Sequence, residues 1–227
     1  MNQLPPNILS PEWGWDNIRG DVFQLIAWGY QRKEEEIRQL RKEEDITGLI
    51  RQGINEILDE LDDDLWPRFR LYSAHNEDPV DDHDALGKER PRVDVLIECA
   101  GSRPRKRYRL EAKRCARKKY KSKYTIDWYT QGIIAFLTGL YAKDLPEGGL
   151  LGLMQSDDAK HWKKELSTKL NNEPSLSCQL PLTDVHLTSD LPDMAISEHQ
   201  RNDGSTIDLY HAFLDCNPRD TTKPQDG

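Results

Sequence analysis

Hydrophobic positions along the chain recur first at helical and then at strand spacing. Over 16–41, Val22, Leu25, Ile26 and Tyr30 fall at helical intervals, and Glu34–Glu36 precede Arg38, Arg41 and Lys42 so that i,i+4 pairing is open to them. A second helix is predicted over 43–61, with Ile46, Leu49, Ile50, Ile54, Ile57, Leu58 and Leu61 on one face. Then the period changes. Residues 69–72 read as a short strand, the polar stretch 75–90 as a loop, 93–97 as a strong branched strand, and 108–113 as its partner across a turn with Gly101 and Pro104. A helix is predicted over 126–142, an apolar strand over 149–154, and an amphipathic helix over 157–170 with Asp157 as its N-cap. Residues 176–187 fit no single period. Two last strands, 194–199 and 206–214, pair across Asn202-Asp203-Gly204-Ser205. This order predicts a mixed α/β (α+β) fold, a central mixed sheet flanked by helices. Three parts are expected: an N-terminal arm and helical extension over 1–42, a main domain over 43–215 and a polar tail over 216–227.

Composition narrows this picture. The 227 residues carry a net charge of −8, and no run of about 18 apolar residues exists, so no membrane-spanning helix is predicted. The first residues lack the basic and apolar regions of a secretory leader. Cys99, Cys115, Cys178 and Cys216 are far apart and show no zinc spacing, which suits reduced thiols in the cytoplasm. A net acidic chain argues against nucleic acid as partner. The average hides a segregation, however. Twelve of the 32 basic residues lie between Arg103 and Tyr124 with one acid, Glu111, among them, so the remainder of the chain stands at −19.

That single acid sits where chemistry can be built. In a strand, Glu111 and Lys113 share one face while Leu110 and Ala112 take the other. If 93–97 pairs with this strand, Asp94 comes beside Glu111. Two carboxylates there form a hard oxygen site suited to Mg²⁺, and an adjacent lysine can polarise a metal-bound water or stabilise charge on a phosphorane.

The pattern Asp94, then Glu111-Ala112-Lys113 on the next strand, resembles the PD-(D/E)xK, or restriction-endonuclease-like, nuclease superfamily, with Val93 where the motif name has Pro. The resemblance covers roughly residues 43–215. It implies a restriction-endonuclease-like sheet, a metal-dependent endonuclease using Mg²⁺ or Mn²⁺, and a setting in bacterial phage defence. It also implies an acid on the first core helix. At about 100° per residue Glu43 lies on the side of Ile46, Ile50 and Ile54, and Glu44 turns away, which makes Glu43 the candidate and Glu44 the alternative. Metal ligands are then Asp94, Glu111 and Glu43. Lys113 would polarise the attacking water, and Gln131, on the helix after the strand, would orient it. His199, Arg201 and His211 are further candidates for substrate contact.

The basic residues Arg103, Arg105, Lys106, Arg107, Arg114, Arg117, Lys118, Lys119, Lys121 and Lys123 flank the proposed catalytic strand, and Tyr108, Tyr120 and Tyr124 lie among them. Such a patch suits a phosphate backbone, with DNA as the expected substrate, and affinity that falls steeply with salt. The alternatives are an RNA nuclease of the same chemistry, or a binding or assembly subunit with little cleavage of its own. In the latter, Trp13, Trp15 and Trp28 of the N-terminal helices would offer a surface to a protein partner or a second copy of the chain.

Overall fold

The branched run around Val93 becomes the second strand of a seven-stranded mixed sheet in a computed structural model, which describes residues 14–61, 67–79, 92–102, 104–117 and 125–218. The strands are β1 (Tyr72–Pro79), β2 (Arg92–Cys99), β3 (Lys106–Cys115), β4 (Glu147–Met154), β5 (Cys178–Asp184), β6 (Met194–Gln200) and β7 (Thr206–Asp215), in spatial order β1-β2-β3-β4-β7-β6-β5. The pairs β1–β2 and β2–β3 are antiparallel, β4 is parallel to both β3 and β7, and β6 returns antiparallel to β7 and to β5. A parallel step needs a crossover, and the helix α3 (Ile126–Leu137) supplies it between β3 and β4.

Two cores lie on opposite faces of this sheet. Helices α1 (Trp15–Ile37) and α2 (Glu43–Glu60) bury their apolar sides against Val95, Ile97, Leu110, Ala112 and Leu151. Helices α3 and α4 (Ala159–Asn172) bury theirs against Leu96, Leu150, Leu209 and Phe213. Because side chains alternate along β3, residues 111 and 113 face the α3 side. The segment predicted as an extension is thus part of the same core as the sheet. Arg19 of α1 grips the buried Glu147 of β4 through Nη2–Oε2 at 2.5 Å and Nε–Oε1 at 3.1 Å, and its guanidinium lies 4.5 Å from the centre of the Tyr210 ring. Where α1 meets α2, a Cβ on Gly29 would stand 2.5 Å from Ile54 Cγ1 and 2.6 Å from the Ile50 carbonyl, so the two backbones touch. That contact seats the middle of α2 directly on α1.

Several boundaries differ from those predicted. Residues 69–71 form one 3₁₀ turn, and the strand runs on through His75, where a loop was expected. Helix α1 ends at Ile37 rather than near Arg41. Helix α3 stops at Leu137, and the chain turns through Gly139 at φ +78° instead of continuing to residue 142. The N-cap of α4 is Asp158, which accepts from the His161 amide at 2.8 Å, and not Asp157, which has φ +61°. The ambiguous stretch after Leu176 is the exposed edge strand β5. Among the described residues, no helix is long and apolar enough to cross a membrane.

Trp15 packs edge-on to the buried Tyr108 and Trp28 lies against Phe69, so both indoles serve largely internal contacts. Trp13 lies outside the described residues.

Candidate active site

Four charged side chains from three elements, α2, β2 and β3, meet on the α3 side of the sheet. Antiparallel pairing sets Val95 opposite Leu110 and so carries Asp94 to the position beside Glu111. Asp94 Oδ2 accepts a hydrogen bond from the Ala112 amide at 2.8 Å. The Lys113 ammonium is 2.5 Å from Glu111 Oε1, 3.3 Å from Glu43 Oε1 and 4.0 Å from Asp94 Oδ2, and it also donates to the Ala112 carbonyl at 2.9 Å. Glu43 arrives from the first turn of α2, and its Oε2 accepts from the Arg114 amide at 2.8 Å. Glu44 is exposed. Of the two acids offered by the helical phase, Glu43 lies in the cluster and Glu44 outside it.

Helix α3 can approach this close because residue 132 is glycine. A Cβ there would stand 2.9 Å from Leu150 Cδ2, 3.3 Å from Glu111 Cγ and 3.5 Å from Lys113 Cγ. Four residues earlier on the same helix face, Trp128 donates its Nε1–H to Glu43 Oε2 at 3.4 Å, and its ring centre is 5.3 Å from the Lys113 ammonium. Gln131, one residue and about 100° from Gly132, is exposed and makes no hydrogen bond to these four charged groups. Its placement does not bring it into contact with the cluster. Trp128 was missed in the sequence. So was Tyr141, beyond the end of α3, whose hydroxyl is pushed up by burial and by the Glu111 charge.

Three carboxylates around one ammonium leave an excess of negative charge in a nearly closed space. Burial, and after it the charge of Asp94, pushes the Glu111 carboxyl up to about 8. Burial likewise lifts Asp94 and Glu43 above the usual carboxylate range. Burial works against the Lys113 ammonium, but Glu111, Glu43 and Asp94 outweigh it and hold the lysine charged. Glu111 Oε2 is buried with no hydrogen-bond partner. Among the described residues no three acidic, histidine or cysteine side chains form a ready metal cage; here the Lys113 ammonium stands where the carboxylates converge.

The described part of the basic stretch is engaged locally. Arg105 and Arg107 both donate to Glu98 at 2.9 Å, Lys106 lies 4.8 Å from the centre of the Trp15 ring, Arg114 is held by Gln155, and Arg117 pairs with Asp157. Tyr108 is buried. Arg103, Lys118, Lys119, Tyr120, Lys121, Lys123 and Tyr124 lie outside the described residues.

No family model matches the chain, and no curated protein or solved structure matches it.

The remaining sequence candidates are buried away from this cluster. Arg201 is spent on the carbonyls of Ala142, Lys143 and Leu145. His199 and His211 belong to a closed hydrogen-bond chain. The Leu176 carbonyl can only accept, so His199 Nδ1–H donates to it at 2.6 Å and His199 Nε2 must accept from Ser197 Oγ at 2.7 Å. Ser197 Oγ then accepts from His211 Nε2 at 2.8 Å, and His211 Nδ1 accepts from the Tyr129 hydroxyl at 2.9 Å. Every donor finds an acceptor only if both rings are neutral. Burial accordingly lowers His199, and burial with the His199 neighbour lowers His211 to about 3. The unfolded state therefore takes up the proton first as pH falls through about 6.5, so this stabilisation is present above that pH and is lost below it. The stability advantage of the wild type over His211→Gln should shrink by about 1.4 kcal/mol per pH unit between 6 and 4. Denaturant unfolding across that range measures it, and a constant gap would contradict the neutral chain.

Proposed function

We propose that the chain is a Mg²⁺-dependent phosphodiesterase acting on nucleic acid, with DNA as the substrate. What carries the reading is the convergence of Glu43, Asp94 and Glu111, from three separate elements, on the Lys113 ammonium at one face of the sheet. The donor set fits a hard divalent cation: it is all carboxylate, and Glu111 Oε2 is buried without a partner. Asp94 and Glu111, with Glu43, would hold the ion. When bound, the ion supplies a water of lowered pKa and neutralises charge on the scissile phosphate.

Lys113 remains an ammonium in these surroundings and so cannot act as the base. It donates hydrogen bonds, and its charge suits the extra negative charge that builds on phosphoryl oxygens as the water attacks. Glu43 is kept in reach of it by the Arg114 amide and by Trp128. The Asp94 carboxylate is oriented by the Ala112 amide, which fixes it on the β3 backbone next to Glu111. These contacts hold the four charged groups together at one place on the sheet.

Nicking of supercoiled plasmid in millimolar Mg²⁺, stopped by EDTA and absent in Asp94→Ala, is the expected outcome. Undiminished cutting by Asp94→Ala would sink the assignment. Cleavage of RNA in preference to DNA would keep the chemistry and move the substrate. Salt-sensitive binding without any cleavage would favour a binding subunit.

A further inference from the structure

Among the described residues, four large hydrophobic side chains are exposed: Leu71, Trp128, Leu140 and Leu180. Of these, Trp128 alone touches the charged cluster. It is 36% exposed, although its neighbours Tyr129, Gly132, Ile133 and Phe136 on α3 are all buried. Its indole is oriented at this site, with Nε1 donating to Glu43 Oε2 at 3.4 Å and the Lys113 ammonium 5.3 Å from the ring centre. An exposed indole held in place beside a phosphoryl-transfer site loses little further freedom on binding a flat partner. An aromatic plane of this kind accepts any base by stacking, without regard to sequence.

We infer that Trp128 is the stacking platform for an unpaired base next to the scissile phosphate, so that the site takes single-stranded or locally opened DNA in preference to intact duplex. The inference rests on the phosphodiesterase reading for its choice of ligand. A base within a duplex already has both faces stacked on its neighbours and must be unstacked before it can meet the ring. A base in a single strand has a face to give. The contacts from Trp128 to both Glu43 and Lys113 put the platform directly beside the proposed reaction site.

The test is an abasic scan. Labelled single-stranded oligonucleotides carrying one abasic residue at successive positions, and the matching duplex, are titrated by anisotropy with Ca²⁺ in place of Mg²⁺. Intact single strand should bind the wild type more tightly than duplex, and abasic sites at one or two positions should weaken binding by about 5- to 150-fold. Trp128→Ala should weaken intact single strand by a similar factor and make those abasic sites silent, while Trp128→Phe, which keeps an aromatic face, should restore most of the difference. A merely structural role for Trp128 would lower affinity equally for intact and abasic strands, and that result overturns the inference. If Trp128→Ala does not fold, the scan on the wild type still decides: a flat profile overturns the inference. Mg²⁺-dependent cleavage with a flat scan defeats the platform alone. A position-specific scan without any cleavage defeats the phosphodiesterase reading and leaves the platform as a binding site.

Discussion

Glu111→Gln is expected to lower Mg²⁺-dependent cleavage by about a thousandfold or more while leaving the fold at least as stable as the wild type. The two effects have separate causes. An amide is a far weaker ligand for a hard cation than a carboxylate, and a loss of about 4 kcal/mol in transition-state stabilisation is about a thousandfold in rate. Folding depends on the same residue differently. Without metal, Glu111 is buried next to Asp94, and its carboxyl is raised from 4.5 to about 8. A carboxyl whose folded value is raised weakens the fold progressively as pH climbs from 4.5 towards 8, because the folded state must either hold the proton or bury a second charge. The substitution removes that penalty and keeps an oxygen for the Lys113 ammonium. Its stability relative to wild type should therefore rise with pH over this window and level off above it. Parallel plasmid-nicking and urea-unfolding measurements at pH 5 and pH 8 check both halves. A variant that still cuts at the wild-type rate removes Glu111 from the site. One that is inactive only because it is unfolded shows that Glu111 serves the fold instead.

The parts of this site that could be read in the sequence are those fixed by local periodicity. Strand alternation alone puts Glu111 and Lys113 on one face, the branched run of β2 announces a partner strand, and the phase of α2 separates Glu43 from Glu44. Other parts depend on register and close approach, which one-dimensional patterns do not carry. Among the described residues β1 is an edge strand that pairs only with β2, and from His75 its polar residues show no apolar alternation. The pairing of Ala195 with His211 sets His211 diagonally across from Ser197, and that step turns two histidines that read as candidates for substrate contact into a buried structural chain. Trp128 had a weak signal: it lies four residues before Gly132 and so on the same face of α3. Only the gap left by the glycine shows that this face meets Glu111 and Lys113.

The removal of Lys113 should be as informative as the removal of its acids, and opposite in sign for stability. Lys113→Met keeps the length and apolar stem of the side chain but deletes the cation shared by Glu111, Glu43 and Asp94. Breaking a buried ion pair by taking one partner costs about 3–5 kcal/mol, because charge is left uncompensated away from water. Here the penalty can be relieved in two ways. Protons relieve it, since the carboxyls are already raised by burial; the destabilisation should be large at pH 8 and small at pH 5. A divalent cation relieves it too if these oxygens bind one, and the stabilisation then grows as RT ln(1 + [M]/Kd). Melting curves of Lys113→Met at pH 8 should accordingly rise with Mg²⁺ or Ca²⁺ and fall back with EDTA, whether or not any substrate is cut. Wild type should respond more weakly, because its own ammonium competes for the same oxygens. If Lys113→Met is as stable as wild type at pH 8 without metal, the ammonium is not the counter-ion of the cluster. If metal leaves its melting temperature unchanged, the three carboxylates do not form a cation site, and the phosphodiesterase reading loses its metal before any nuclease assay is run.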